Sequence, residues 1–590
     1  MQMKQLYTKS LKIDGIMNEA VYFVMDKQLK DKKMWRTYID VFTNHDDSKE
    51  LWWRGEFFGK QMRGACYAYL YSQDEELYDI LTWACRELLK TQDEYGRFST
   101  YNIDAEFQGW DMWGRKYVLT GLQHYYQICR DEELKEAILG AEKKHLDYII
   151  SKIGPGKIDI TTTSLWWGCV NSCTILEPTV ELYKATKEQR YLEFAKYIIS
   201  KGGSANCNLV ELPMQGDLLP YEYPVTKAYE MMSFYEGLIA YYEATGEKKY
   251  LEVVKRFIEA VQQSDITLIG CAGCTDELFD HGAVTQTKHS DVVMQETCVT
   301  VTWMRVLVRL YLLTGEVKYI DRIEISSYNA LYGSLNTKQC KHYDHWSKEY
   351  LDPKCFDSYS PLYMNTRGRW IGGISRFTNG EYTGCCVAIG ACGISLVPLT
   401  SIVTMEDYTY INHMFTGEAC IKDASGKDVQ LTFTSKYPQD GVCKIKIQCE
   451  GESHLKFKIR RPAWCETMLL NGKEALAEGY QEVSGDFQDG DEITFEWKLS
   501  LKIHRLNEKV AFTYGGITLA CDSAKSDRDL AKPVVVGDEL TYRIILPAED
   551  ELVRIECDTE DGTILLTDYQ SCGKEWTGEK NLITVWLNTK

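Results

Sequence analysis

The sequence predicts a multidomain chain: an all-α barrel of the (α/α)6 kind over residues 13–400, followed by all-β sandwich structure. Three observations lead there. A helix–turn–helix pattern returns five times in the first 400 residues, the hydrophobic periodicity then changes from helical to alternating, and the chain is 590 residues long. That length suits two to four domains and a sizeable core.

Residues 1–12 precede the barrel and are expected to pack on the sandwich. Within the barrel, "VELYKATKEQRYLEFAKYII" recurs as "EGLIAYYEATGEKKYLEVVKRFI" and "VLVRLYLLTGEVKYIDRIEISSY", with weaker copies "GLQHYYQICRDEELKEAILGAEKKHL" and "CYAYLYSQDEELYDILTWACREL". Aligned at Leu77, Leu134, Tyr191, Tyr250 and Tyr319, the copies stand 57, 57, 59 and 69 residues apart. Each reads as an apolar-periodic helix, a short polar turn and a second amphipathic helix. Further helical pattern at Asn18 to Leu29 and after Ala388 brings the expectation to about twelve helices. Such a repeat suggests a closed toroid rather than an open solenoid.

Short turns put one end of every hairpin on one rim. The longer connectors, roughly 91–118, 152–175, 201–228, 264–300 and 336–385, then gather on the other. Loops clustered on a rigid scaffold are the usual place for function. Trp110, Asp111, Trp113, Trp166, Trp167 and the pair Cys385–Cys386 all fall there.

Past residue 400, "VQLTFTSKYP", "VCKIKIQCE", "HLKFKIRRPAW", "DEITFEWKLSLKIHRL" and "VAFTYGGITLACD" alternate as half-buried antiparallel strands, with Asn471-Gly472 as a hairpin turn. Residues 401–524 are expected to form one β-sandwich and 525–590 further β-structure, a second small sandwich.

The net charge is -19 with scattered basic residues, which argues against nucleic acid and anionic membrane as partners. The opening "MQMKQLYTKSLKIDG" has no apolar run of the signal-peptide kind, so the expected location is cytoplasmic. A homodimer is left open. Twenty-one cysteines are diluted over a long chain; in a reducing compartment most are expected to be small buried hydrophobes, including Cys169, Cys173, Cys207 and Cys392. The clusters "LWWRGEFFGK", "EFQGWDMWGRK" and "SLWWGC" suit stacking on sugar rings as well as core packing.

Adjacent Cys385 and Cys386 are poorly placed for a disulfide with each other, because a trans peptide holds their Cα atoms about 3.8 Å apart. Glu296 and Cys298, in "QETC", stand at i and i+2, which in an extended segment points both side chains one way. One carboxylate and three thiolates from two connectors of one rim are reasonable ligands for a tetrahedral zinc. Two alternatives stay open. Cys271 and Cys274 could join Cys385 and Cys386 in a four-cysteine structural site, or act as a redox pair. Glu277 could be an ordinary surface carboxylate.

"GCTDELF", then "ETC" at a helix start, then "CC" at the end of the helical region, together with the W-x-G-E-x-x-G-K of Trp53 to Lys60, resemble glycoside hydrolase family 127, the β-L-arabinofuranosidases. The resemblance spans most of the chain. It implies an (α/α)6 catalytic domain with β-sandwiches and a retaining hydrolysis by a zinc-bound cysteine. Carried onto this sequence, it implies Cys385 as nucleophile and zinc ligand, Glu296, Cys298 and Cys386 as the other ligands, and Glu277 as general acid/base. The expected activity is exo-release of terminal β-L-arabinofuranose from plant-derived oligosaccharides.

Where the family often carries sugar-holding histidines, this chain has Lys227, Tyr229 and Glu230 at one helix start and Trp110, Asp111 and Arg115 in "WDMWGRK". These six are the candidate substrate-binding residues. Lys227 or Arg115 could meet a carboxylate, which brings in an acidic branched pectic sugar as the alternative substrate. An epimerase or lyase on the same barrel would leave the ligand pattern without a purpose, and a non-catalytic carbohydrate-binding protein with structural zinc would leave Glu277 without one.

Overall fold

Leu77, Leu134, Tyr191, Tyr250 and Tyr319, the residues that align the repeat, are all buried, and each is the third residue of a helix. That shared register reflects one construction. An inner helix ends, a two- or three-residue turn follows, and the first inward residue of the outer helix comes one turn in. Asp74 and Asp131 cap two of these outer helices by accepting from the third residue's N–H, at 2.8 and 3.1 Å.

The computed structural model describes residues 10–289, 294–475, 478–537, 540–576 and 581–590. Residues 1–9 of the expected N-terminal segment therefore lie outside the described residues. The barrel helices are α1 (Ile16–Val24), α2 (Lys32–Asn44), α3 (Glu56–Ser72), α4 (Glu75–Leu89), α5 (Asp111–Ile128), α6 (Glu132–Lys152), α7 (Leu176–Thr186), α8 (Gln189–Ser200), α9 (Ala228–Thr245), α10 (Lys248–Ser264), α11 (Thr297–Thr314), α12 (Val317–Ile325) and α13 (Cys385–Ser401). Helices α3, α5, α7, α9, α11 and α13 touch in that order, and α13 returns to α3, so the toroid is closed.

Inner helices are buried on all sides, α13 along its whole length, whereas α10 shows a clear apolar stripe. Close packing of α3 on α5 depends on Gly59, where a Cβ would stand 1.8 Å from the Tyr117 carbonyl oxygen. The expected helix from Asn18 to Leu29 is instead α1 followed by a π-turn at Met25–Leu29. Helix α2, which the sequence reading left out, is capped by Asp31 through Lys33 and Met34 N–H groups.

The β-region is two-part. Strands Ser10–Ile13, Gly417–Lys422, Asp428–Ser435, Val442–Gln448, Glu492–Trp497, Met468–Leu470 and Lys473–Ala475 form one sheet in that order. A second has the order Tyr480–Phe487, Ser453–Arg460, Tyr408–Ile411 and Ile402–Met405. Ser10–Ile13 thus crosses from the start of the chain to pair antiparallel with Gly417–Cys420. Asn471 and Gly472 make the expected hairpin turn, both with positive φ (48° and 76°).

A further sheet runs Leu501–Leu506, Lys509–Tyr514, Ile517–Asp522, Gly562–Asp568, Arg554–Thr559 and Tyr542–Ile545. "DEITFEWKLSLKIHRL", read from sequence as one strand, is therefore two strands in two different sheets. Alternation continues across Lys498–Ser500, so periodicity alone could not reveal the break.

Candidate active site

Five of the six inner helices begin at the same rim, and most of the site stands at those starts. Glu56 and Lys60 open α3, Lys227 caps α9, Glu296 caps α11, and Cys385 and Cys386 are the first two residues of α13. A helix start offers unpaired N–H groups and the positive end of its dipole, so it favours thiolates and carboxylates. Glu296 and Cys298 depart from the sequence expectation. They do not share an extended segment: Glu296 is the extended cap (φ -73°, ψ 134°) and Cys298 already lies within α11. Likewise the expected helix "after Ala388" starts at Cys385, which takes both thiols out of the connector.

The four donor atoms of Glu296, Cys298, Cys385 and Cys386 lie within 4.8 Å of one another, and all four residues are buried. Cys385 Sγ is 3.8 Å from Cys386 Sγ and 3.8 Å from Glu296 Oε1, and Cys386 Sγ is 3.7 Å from the same oxygen. A tetrahedron with zinc–sulfur bonds of about 2.3 Å has edges of about 3.8 Å. Glu296 Oε2 is buried without a hydrogen-bond partner. The donor set is therefore compatible with a metal of the zinc kind in spacing, chemistry and unspent valence.

The charges point the same way. Hydrogen bonds from Cys298 and then Cys386 hold the Cys385 thiol well below its ordinary value against burial, with Lys60 and Lys227 adding positive charge. Burial pushes Cys298 and Cys386 up, and burial followed by the nearby Glu277 and Cys385 pushes Glu296 up. The close approach that shapes this point comes from Gly373, at φ 53°, where a Cβ would stand 2.9 Å from Cys385 Sγ. Gly372 accepts the Cys385 N–H at 3.0 Å.

Glu277 borders the cluster on a short helical turn, and both it and Asp276 have positive φ (65° and 51°). Such a conformation costs a residue with a Cβ about 1–2 kcal/mol, and strain of this kind gathers at functional sites. Lys227 Nζ donates to Glu277 Oε2 at 2.6 Å, and Tyr359 Oη donates to Oε1 at 2.6 Å. Although burial opposes it, Glu277, Glu230 and Glu296 keep the Lys227 ammonium firmly charged. Its Nζ also sits 5.5 Å over the Trp167 ring.

The remaining candidates separate. Trp110 is half-buried and packs edge-on against Trp53 and Trp113, and Trp53 Nε1 donates to the Gly373 oxygen at 3.0 Å. Glu230 is 3% exposed with Oε2 unpartnered, and burial raises its carboxyl. Tyr229 lies behind the site, hydrogen-bonded to Tyr117 with Lys60 Nζ 4.5 Å over its ring.

Asp111 and Arg115 are turned into the scaffold. Arg115 Nη2 pairs with Asp111 at 2.9 Å and Glu106 at 3.0 Å, while Asp111 also accepts from Ser99 Oγ and Phe107 N–H. They stand one helical turn apart, a spacing that favours their own pairing over a ligand.

Cys271 and Cys274 do not join the thiol cluster. The Cys271 thiol bonds to the Glu296 carbonyl at 3.2 Å and accepts from Thr300 Oγ1 at 2.6 Å, and Cys274 lies beside Asp280. Four residues were missed. Tyr359 and Gly373 sit in an irregular connector with no periodic signal. Glu56 and Lys60, an ion pair at 2.9 Å, do carry one: their i,i+4 spacing within "WRGEFFGK". Burial pushes the Glu56 carboxyl up to about 7, partly offset by Lys60.

The sequence matches the family described as β-L-arabinofuranosidase, GH127 catalytic domain, over residues 1–344, and its middle domain over residues 409–499. A non-reducing end β-L-arabinofuranosidase of Bifidobacterium longum is 22% identical over 509 residues, 78% of this chain and 73% of that protein. Among solved structures, a GH127 β-arabinofuranosidase aligns over 100% of this chain and 99% of its own, with TM-score 0.76 and 16% identity. A GH127 β-L-arabinofuranosidase from Geobacillus stearothermophilus aligns over 98% and 100%, with TM-score 0.71 and 15% identity.

Proposed function

The chain belongs to glycoside hydrolase family 127, and on that premise we propose that it is a retaining exo-β-L-arabinofuranosidase acting on plant-derived oligosaccharides. It is a glycoside hydrolase with a carbohydrate substrate. The specific mechanism rests on one observation: the buried donors of Glu296, Cys298, Cys385 and Cys386 within 4.8 Å of one another, bordered by Glu277.

Zinc held by those four residues would keep the thiols deprotonated and make the Cys385 sulfur a better leaving group. Glu277 gives its proton to the glycosidic oxygen as the bond from that oxygen to the anomeric carbon breaks. Cys385 Sγ attacks the same carbon and forms a thioglycoside. Glu277 then takes a proton from water, the water oxygen bonds to the anomeric carbon, and the carbon–sulfur bond breaks to return the thiolate. Tyr359 and Lys227 hold one Glu277 oxygen each, which fixes the carboxyl for both transfers. Trp53 and Trp110 supply apolar walls for the sugar.

The second reading of the substrate is an acidic branched pectic sugar, for which Lys227, beside Glu277, is the cation that would meet the carboxylate. The cytoplasmic location belongs to the same proposal. A nucleophilic thiol is kept reduced in such a compartment.

The test is zinc content together with hydrolysis of p-nitrophenyl β-L-arabinofuranoside. We expect about one zinc per chain, activity abolished in Cys385→Ser and Glu277→Gln, and metal kept in Glu277→Gln. Full zinc in a Glu296→Ala, Cys298→Ala double variant would sink the ligand set. A wild type inert on the arabinoside but active on pectic fragments bearing an acidic sugar would move the substrate and leave the chemistry.

A further inference from the structure

We propose that the hairpin from His342 to Leu351, together with Trp52, forms a carbohydrate-binding platform beside the active site for the sugar residues on the leaving-group side of the bond cleaved. The proposal rests on the glycosidase reading above and adds a site to it.

Trp346 is 81% exposed, Tyr350 63% and Trp52 36%. Single exposed apolar residues are ordinary, but three large rings around one short segment are not. Nor is Trp346 on loose chain. His342–Asp344 pairs antiparallel with Glu349–Leu351, and the Tyr343 and Tyr350 rings meet across the pair at 5.2 Å. Asp344 ties the turn down: it accepts from Trp346 N–H at 3.0 Å, from Ser347 Oγ at 2.8 Å and from Arg376 at 2.9 Å.

That last contact ties the turn to the strand that leads toward Cys385. Arg376 is three residues from Gly373, which touches Cys385, so the two backbone positions are at most about 11 Å apart. A second link is His345, stacked on Trp370 at 3.8 Å and 10°, two residues before the Gly372 that accepts the Cys385 N–H. From the other side, Arg54 donates to the Arg376 oxygen at 3.1 Å and lies 5.1 Å over the Trp52 ring. The exposed rings therefore flank one strand that leads to the nucleophile.

Carbohydrate fits this surface. Sugar rings offer C–H faces to aromatic rings and hydroxyls to polar groups at their edge, here Ser347 and Arg376. An enzyme that removes a terminal residue leaves the rest of its substrate outside the pocket, on such a rim.

The test uses full-length Trp346→Ala and Tyr350→Ala. Turnover of p-nitrophenyl β-L-arabinofuranoside should be unchanged, while kcat/KM on arabinan-derived oligosaccharides falls about three- to tenfold through KM. In gels containing soluble arabinan or rhamnogalacturonan, wild-type protein should be retarded and Trp346→Ala should not. A wild type retarded in neither gel overturns the platform, whatever happens with the aryl glycoside. Retardation lost in Trp346→Ala, with a wild type inert on the arabinoside, keeps the platform and sinks the arabinofuranosidase reading instead. An equal fall on both substrates, or a wild-type dimer that Trp346→Ala splits in light scattering, also overturns it, the latter by assigning the patch to a second copy of the chain.

Discussion

At the scale of single residues, Glu277 has two anchors of different kinds, and they can be separated. Tyr359→Phe removes a neutral hydrogen bond at 2.6 Å and leaves the ammonium contact. Lys227→Met removes the charge and the other hydrogen bond. We expect kcat to fall about tenfold in the first and about a hundredfold in the second, because a misplaced acid/base loses that much. KM on an aryl arabinofuranoside and zinc content should be nearly unchanged in Tyr359→Phe. A fall confined to KM would instead assign Tyr359 to sugar binding. The cluster of Glu296 with three thiols was legible in the sequence because few residue types ligate a metal and each pair of them is close in the chain, whereas Glu277 stood out only through the family resemblance. Tyr359 was not legible, since tyrosine has many uses and its contact with Glu277 spans 82 positions of chain. Asp111 and Arg115 show the converse: ionisable residues on the right rim that spend their charges on each other.

At the scale of elements, the inner helices do two jobs at their two ends. Their first turns gather the site, and deeper in the barrel they exchange buried charges. Arg309 on α11 pairs with Glu177 on α7 at 2.9 Å and Glu243 on α9 at 3.1 Å, and Arg305 with Glu236 at 2.8 Å. Arg309 is 2% exposed, and the positive charges of Arg305, Arg309, Arg63 and Lys116 hold Glu177 below the ordinary carboxylate range despite its burial. Replacing one partner leaves the other charge stranded, which typically costs about 3–5 kcal/mol. Arg309→Met is therefore expected to lose about that much in denaturant unfolding, and Arg309→Met with Glu177→Gln less than the two single losses combined. Additive losses would mean the pair is not coupled. The outer helices were legible because one face is apolar. The inner ones, buried on all sides, were found through the repeat that pairs them, and α2 had no copy to betray it.

At the scale of the molecule, the C-terminal sheet takes part in building the site. Lys574, 6% exposed, donates to the carbonyls of Tyr332, Gly333 and Leu335 at 2.9, 3.2 and 2.9 Å. Arg367 reaches back to the carbonyls of Cys572 and Tyr569 at 2.9 and 3.2 Å, and Tyr569 Oη donates to the Pro361 carbonyl at 2.9 Å. These contacts grip the last connector and the residues just before it, and that connector carries Ser358, Tyr359, Gly372 and Gly373 to the thiols. Sequence separation alone hides such a dependence, since residues 569–574 stand over 180 positions from Cys385 and share no pattern with it. Lys574→Met strands three buried carbonyls, a loss of about 1–3 kcal/mol each at most, and should lower thermal stability while leaving the barrel helices intact by circular dichroism. The consequence for function is sharper. A chain ending at residue 500 keeps the barrel and the first two sheets but frees the connector. On the mechanism proposed above, it should lose added zinc to a chelator far faster than the full chain and lose activity about a hundredfold or more, as expected when the proposed nucleophile and acid/base lose registry. A truncated chain that folds, holds its zinc and turns over normally would show that the barrel positions the connector without help.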